Sequence, residues 1–248
     1  MNPPAPQFLA EGDPHFAHIA CALLGTGALG LIATSTFYAL AGPQAALPGG
    51  AGDIALARTA TASAAGWMRA AGLAGMPSDV LLAVGAVMLA SMKRGPGAGL
   101  AVAGWLAMAL AGALFIVVDA MVALVLPPAA LTPHGEAAYA AQRALFDALF
   151  TIGAWTAGLG ALAAAWSSHW PEWRSRTALW LMRAAGAVGV LANTAHLLGL
   201  PGAELIGPGI ALLAVALLVM AVATARWNAG VDPYRARDAA GITATDAR

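Results

Sequence analysis

The sequence predicts an all-α fold, a polytopic integral membrane bundle of about six transmembrane helices with both termini in the cytoplasm. Three observations favour this class: the composition, the number of long apolar runs, and the distribution of basic residues. The chain is 60% hydrophobic and 10% charged, with a mean hydropathy of +0.75. Soluble domains contain about 25% charged residues, so this chain cannot cover a soluble globule with polar side chains. Its 29 glycines predict close helix packing through small residues.

Six apolar runs are the expected transmembrane helices, because about 20 apolar residues are needed to cross a bilayer. Pro43 ends the first run and Pro127 ends the third, since proline lacks the backbone donor that a continuing helix needs. Ser78 or Asp79 is expected to cap the start of the second run, which is short for a span and would begin earlier or be tilted. The expected spans are residues 17–42, 78–92, 98–126, 138–166, 178–200 and 207–227.

Three further segments complete the predicted organisation of the chain. Residues 1–16 and 228–248 are polar and form the expected cytoplasmic N-terminal and C-terminal tails. Segment 43–76 is expected on the outer side of the membrane. Its stretch around Arg58 and Trp67 is weakly amphipathic, which predicts a helix that lies at the interface or caps the bundle.

The basic residues predict the orientation, because cytoplasmic loops carry an excess of Lys and Arg. Alternating six spans places nine of the twelve basic residues on one side: Lys93, Arg94, Arg174, Arg176, Arg183, Arg226, Arg235, Arg237 and Arg248. The other side holds Arg58, Arg69 and Arg143. This asymmetry predicts that both termini are cytoplasmic.

The polar side chains inside the predicted spans converge on the outer third of the membrane. Asp119 lies about two turns from the outer end of the third span. Arg143 and Asp147 lie in the first turns of the fourth span at a spacing of i, i+4, so they share a helix face. Asn193 and His196 share a face near the outer end of the fifth span. These five residues are therefore the candidate binding residues.

The chemistry of this layer follows from the cost of burying charge. An unpaired charge inside a membrane costs about 2.5–3.5 kcal/mol, and Arg143 could offset that cost for Asp119, Asp147 or both. Two carboxylates beside one guanidinium leave a formal charge of −1, which could bind a cation, hold a proton or be balanced by protonated His196. Structural roles remain open: Arg143 and Asp147 as an ion pair near the headgroups, with the arginine snorkelling outward, and Asp79 as a helix cap.

Several function classes find no support in the sequence. The formal net charge is zero, which argues against a nucleic-acid partner. Cys21 is the single cysteine, so the chain forms neither an internal disulfide nor a cysteine metal cluster. His15, His18 and His169 are the best three-imidazole group, and we predict no metal site from them. The phosphate-binding loop, HExxH and GxSxG motifs are absent, so no catalytic residue is assigned and the cofactor is left unknown.

Two sequence features define a family resemblance. The first predicted helix ends at Gly42-Pro43 before a long outer segment, and the motif Trp170-Pro171-Glu172-Trp173 precedes a glycine-rich fifth helix. This layout resembles a family of six-helix bacterial membrane proteins of unknown function, the domain-of-unknown-function group numbered 4386. The continuation Arg174-Ser175-Arg176 departs from the family pattern. The resemblance implies a multi-pass protein of the bacterial cytoplasmic (inner) membrane and implies no catalytic chemistry.

Three function classes are compatible with these observations. The first is transport or sensing, with the polar layer as a small-molecule, ion or proton site. The second is a non-catalytic subunit or scaffold of a membrane complex, and the third is an intramembrane enzyme that acts on a lipid or quinone. The polar layer favours the first class, and the absence of a nucleophile and base at a recognisable spacing argues against the third. The expected partners are the lipid bilayer and, through small-residue faces, other membrane subunits or further copies of the chain.

Overall fold

The computed structural model describes residues 14–49, 53–93, 98–166 and 173–230. Regular structure in these residues is helical: α1 (Pro14–Ala41), α2 (Pro43–Ala46), α3 (Ile54–Ser63), α4 (Ala65–Ser91), α5 (Ala98–Ala120), a π-helical segment (Met121–Val125), α6 (Leu126–Leu131), α7 (Glu136–Trp166), α8 (Trp173–Leu197), a 3-10 turn (Ala203–Leu205) and α9 (Ile206–Gly230). Residues 94–97, most of the Trp170–Trp173 motif, His169 and most of both tails lie outside the described residues.

The described residues contain six helices that are long and apolar enough to cross a membrane, which confirms the predicted number. These spans are α1, α4, α7, α8, α9 and a continuous helix that joins α5 to α6 through the π-helical segment. The fold is therefore that of a multi-pass helical bundle. The shorter helices α2 and α3 occupy the region that the sequence assigned to an outer segment.

Two predicted boundaries move in the structure, and one of them is the earlier start that was expected for the short second span. The second span begins at Ala65 rather than at 78, so Ser78 and Asp79 lie inside α4 and neither of them caps it. Pro77 did not start a helix because membrane helices tolerate an internal proline when neighbouring groups satisfy the freed backbone carbonyl. The third span continues past Pro127 to Leu131, since the π-helical segment before it absorbs the interruption.

The six spans form a closed ring. Each long helix packs against the next along the chain, and α9 packs back against α1. Antiparallel neighbours with short connections produce this order directly, as in up-and-down helical bundles. The ring surrounds a central space that all six helices line. We call the end of the ring that carries α2, α3 and α6 the cap end.

Small residues allow neighbouring helices of the ring to approach closely, as the composition predicted. A Cβ added to Gly104 of α5 would lie within 2.8 Å of the Gly160 carbonyl oxygen on α7. A Cβ on Gly72 of α4 would overlap the carbonyl oxygen of Asp119 and would reach within 2.8 Å of Ala123. Such close backbone contact is what glycine supplies in membrane helices, where packing rather than hydrophobic burial holds helices together.

Candidate ligand-binding site

A cavity of about 350 Å³ lies in the middle of the ring. Its volume falls within the range of about 300–1,000 Å³ that is typical of small-molecule sites. Most of its wall is apolar, with large contributions from Leu24, Met108, Phe115, Phe150, Leu213 and Leu217. The polar groups are few and include Tyr38, Asp79, Asp119 and Asn193. An apolar wall with a few convergent polar groups is the usual composition of a ligand pocket.

Two buried carboxyl groups form the polar centre of this wall. Asp79 of α4 and Asp119 of α5 are each 3% exposed; both line the cavity, and the Asp119 carboxylate packs against α4 at Gly75, one turn from Asp79. Two neighbouring buried carboxyls repel each other when both are ionised, and neither has a basic partner among the described ion pairs, so the pair is expected to hold a proton and carry one negative charge. The Tyr38 hydroxyl of α1 donates to Asp119 Oδ1 at 2.8 Å. Three helices therefore meet at one proton-holding group.

The backbone around the pair explains how two carboxyls come to face each other. Gly75 lies one turn before Asp79 on α4, and the Asp119 carboxylate packs directly onto it, in space that a Cβ would occupy. Pro77 leaves the carbonyl one turn earlier without its helical donor. The π-helical segment begins two residues after Asp119. Helix interruptions of both kinds are common at functional sites in membrane helices.

Two buried polar atoms of residues that line the cavity have no hydrogen-bond partner within the described part of the chain. They are Asp79 Oδ2 on α4 and Asn193 Oδ1 on α8. Asn193 is fully buried, and its Nδ2 donates to the Gly189 carbonyl at 2.8 Å, which fixes the orientation of its amide. A buried polar atom without a partner costs about 1–3 kcal/mol. A donor group of a molecule in the cavity would supply the hydrogen bond that each of these atoms lacks.

Asn193→Leu is expected to raise the stability of the ligand-free protein by about 1 kcal/mol, because leucine removes the unpaired amide oxygen at similar volume. The measurement is thermal or denaturant unfolding of the purified protein in detergent. The gain should be absent in Asn193→Asp, which retains an unpaired oxygen. A loss of stability in Asn193→Leu would show that the amide has a structural role.

Arg143, Asp147 and His196 form a second cluster at the cap end. Arg143 is 3% exposed and is engaged at all three nitrogens. Its Nε donates to Asp147 at 2.9 Å, its Nη1 donates to the Ala45 carbonyl at 2.6 Å, and its Nη2 donates to the Leu47 carbonyl. Among the described ion pairs Arg143 has Asp147 as its partner and not Asp119. Of the alternatives that the sequence left open for Arg143, namely Asp119, Asp147 or both, the structure therefore confirms the pair with Asp147.

This second cluster holds residues 43–49, which we call the strap. Pro43 and Leu47 of the strap line the cavity, so the strap covers the cap end of the central space. The His196 ring of α8 packs against Gly49, where an added Cβ would lie 2.6 Å from Cε1. Arg143 on α7 and His196 on α8 thus anchor the same strap from two neighbouring helices.

The five predicted binding residues divide between these two places. Asp119 and Asn193 line the cavity, whereas Arg143, Asp147 and His196 hold the strap above it. Asp119 also lies deeper than predicted, about 18 Å from the end of its span at Leu131, at 1.5 Å per residue.

Sequence reasoning missed Tyr38 and the role of Asp79. The residues on both sides of Pro77 are apolar, as is typical of one uninterrupted span, and this pattern could have placed Asp79 inside the span. Tyr38 gave no distinguishing signal, because a tyrosine near a helix end is also typical of the interface belt.

The ring, the cavity and the buried carboxyl pair define a class: a multi-pass helical membrane protein with an internal, mostly apolar site. Comparisons with protein-family models, with curated proteins and with solved structures found no match for this chain.

Proposed function

We propose that this protein binds a small, largely apolar molecule in its central cavity, as a transporter or sensor in the bacterial cytoplasmic membrane. The observation that carries the proposal is the pair of unpartnered, buried oxygens on Asp79 and Asn193, which belong to helices from different parts of the ring. Every one of the six spans contributes to the cavity wall. A bound molecule would therefore contact all six helices at once, and its binding free energy can bias the arrangement of the whole ring.

We also propose an orientation of the protein in the membrane. With both termini in the cytoplasm, the cap end and the strap face the outside. Arg58, Arg69 and Arg143 then lie toward the outer side, in agreement with the smaller share of basic residues expected there. A ligand would enter from the outer leaflet or the outer solution and would pass the strap.

Ala157→Phe tests the cavity directly. Ala157 of α7 lines the cavity, so a phenylalanine ring there would occupy the space that a ligand needs. We expect the affinity for 1-adamantanol, a compact neutral apolar probe, to fall at least roughly tenfold, because the probe loses its apolar contacts. The measurement is equilibrium binding to the purified protein in detergent or nanodiscs.

The matched control is Ile152→Phe on the same helix. Ile152 is 54% exposed and lies outside the cavity wall. The Ile152→Phe variant introduces the same ring on the lipid-facing side of the helix and should leave probe binding unchanged. Absence of probe binding by the parent protein, or equal loss in both variants, would contradict a ligand site in the cavity.

A second candidate function is intramembrane hydrolysis, and the carboxyl pair is the observation that favours it. Two carboxyls that share a proton are the acid and base of aspartic hydrolases. Such a mechanism needs a water molecule held at the pair. The unpartnered Asp79 Oδ2 offers one acceptor, whereas Tyr38 and Gly75 enclose the Asp119 side. Recovery of chemically unchanged probe after prolonged incubation would favour binding, and time-dependent cleavage of an amide or ester analogue that Asp119→Asn abolishes would favour hydrolysis.

A further inference from the structure

We infer that the ligand is a lipophilic monocation, an amine whose ammonium group binds at Asp79 and Asp119 and displaces the proton that they share. This inference rests on the proposed function and names the ligand class of that same cavity. Three independent properties of the wall support it: its charge, the kind of unpartnered atoms it presents, and its aromatic surface.

The charge of the wall favours a cation. Among the described residues that line the cavity, the titratable ones are Tyr38, Asp79 and Asp119. The wall residues from α7, α8 and α9 are uncharged, and the strap contributes Pro43 and Leu47. The described ion pairs are Arg58 with Glu136 and Arg143 with Asp147, so neither carboxyl of the pair has a basic partner. A cationic ligand would therefore supply the positive charge that the two carboxyl groups lack.

The unpartnered atoms favour a donor of hydrogen bonds. Asp79 Oδ2 and Asn193 Oδ1 are both acceptors. Asn193 cannot turn its amide nitrogen into the cavity without losing the hydrogen bond to Gly189. An ammonium group provides up to three donors and no acceptor. A carboxylate or phosphate ligand would place its own acceptors against these oxygens and would be repelled.

The aromatic part of the cavity wall can contact the part of the ligand that lies next to its ammonium group. Phe150 stands between Tyr38 and Phe115, with edge contacts at ring-centroid distances of 6.4 and 5.5 Å, and all three side chains line the cavity. Aromatic faces attract organic cations. The remaining wall is aliphatic, so the ligand has a hydrocarbon body and a single charged group.

Proton displacement follows from the effect of the ammonium group on the two carboxyls. The pair with its shared proton carries a charge of −1 in total. When the ammonium arrives and the proton leaves to solvent, two carboxylates face one cation and the total is again −1. The ammonium stabilises the ionised form of both carboxyls, because an opposite charge within a few Å favours the carboxylate, so the proton of the pair is released to solvent.

The test uses three probes with the same apolar body: 1-adamantylamine, 1-adamantanol and 1-adamantanecarboxylate. We expect the amine to bind at least roughly tenfold more tightly than the alcohol, because hydrogen bonds to charged groups exceed neutral ones, and we expect no binding of the carboxylate. The affinity for the amine should increase about tenfold per pH unit while the pair retains its proton. In weakly buffered solution, an indicator dye should report about one proton released for each amine bound.

Carboxyl variants locate the exchange. Asp79→Asn should reduce amine affinity to the level of the alcohol and abolish proton release, while alcohol binding persists. Asp119→Asn should do the same, and Asp79→Glu, which restores a carboxyl, should retain proton release if the asparagine variants fold poorly. The control is Asp53→Asn, which removes a carboxylate at the start of α3, outside the cavity, and keeps a side chain that can cap the helix.

The outcomes separate the two proposals. Equal affinities for amine and alcohol with no proton release would overturn the amine inference and leave the apolar cavity site standing. Failure of all three probes to bind the parent protein would overturn the proposed function itself. Proton release that survives when Asp79→Asn and Asp119→Asn are combined in one protein would place the exchange at another group and would also overturn the inference.

Discussion

Gly72→Ala is expected to lower the free energy of unfolding by about 3 kcal/mol, the upper end of the usual range for overpacking. A Cβ at this position would overlap the carbonyl oxygen of Asp119 and come within 2.8 Å of the Ala123 backbone nitrogen. Both atoms belong to the helical backbone of the neighbouring span, which cannot move aside as a side chain can. The helices α4 and α5 must therefore separate, and the carboxyl pair must separate with them.

The measurement is unfolding of the purified protein in detergent, accompanied by binding of 1-adamantylamine. Gly66→Ala is the matched control, since it makes the same substitution on the same helix at a position with no neighbouring atom within 4 Å. Because alanine is the better helix former, the control should be neutral or more stable by about 0.5 kcal/mol. Equal stability of Gly72→Ala and the parent protein would mean that α4 and α5 do not cross as closely as the structure places them.

Arg143→Gln is expected to release the strap from the cap end of the cavity. The variant loses the guanidinium that bridges the Ala45 and Leu47 carbonyls to Asp147. Hydrogen bonds to a charged group contribute about 1.5–3 kcal/mol each, and the partial exposure of Asp147 reduces the share from that ion pair. Loss of even one such bond should increase the population of the open strap roughly tenfold or more.

Labelling of a single cysteine measures this opening. Ser35→Cys places a thiol on the cavity wall, in a background where the native buried Cys21 is replaced by alanine. A water-soluble maleimide should label this thiol roughly tenfold faster or more in Arg143→Gln than in the parent background. Unchanged labelling would show that the strap does not control access to the cavity from this end.

The control is Arg58→Gln. Arg58 also binds backbone carbonyls at the cap end, donating to Ala130 at 3.1 Å and to Thr132 at 2.6 Å, and it pairs with Glu136. It therefore tests the loss of a comparable arginine bridge that does not touch the strap. We expect some loss of stability in this variant and no change in the rate of cysteine labelling.

The arginine positions illustrate what periodicity can predict. The i, i+4 spacing of Arg143 and Asp147 predicted a pair on one helix face, and the structure contains that ion pair at 2.9 Å. The alternative pairing of Arg143 with Asp119 is absent from the described ion pairs, because three strap and helix acceptors already occupy the guanidinium. Local spacing determined the first contact, whereas the second depended on where a distant segment folded.

Asp79 illustrates the opposite case. Its sequence context, Pro77-Ser78-Asp79, is typical of a helix start in a soluble protein. In α4 the same residues lie in the middle of a span, where Ser78 donates to the Gly27 carbonyl of α1 at 2.6 Å. The hydrogen bond from Ser78 to α1 and the position of Asp79 near Asp119 of α5 depend on how three helices pack together, which the sequence around Asp79 does not show.

The sequence by itself determined the helical class, the number of spans and the use of small residues between them, because these depend on composition and on apolar runs as long as a bilayer is thick. The ring order, the cavity, the pairing of Asp79 with Asp119 and the strap over them were decided by the tertiary structure. Each of these brings together residues from separate spans, and the depth and rotation of a span depend on its packing against neighbours rather than on its own sequence pattern.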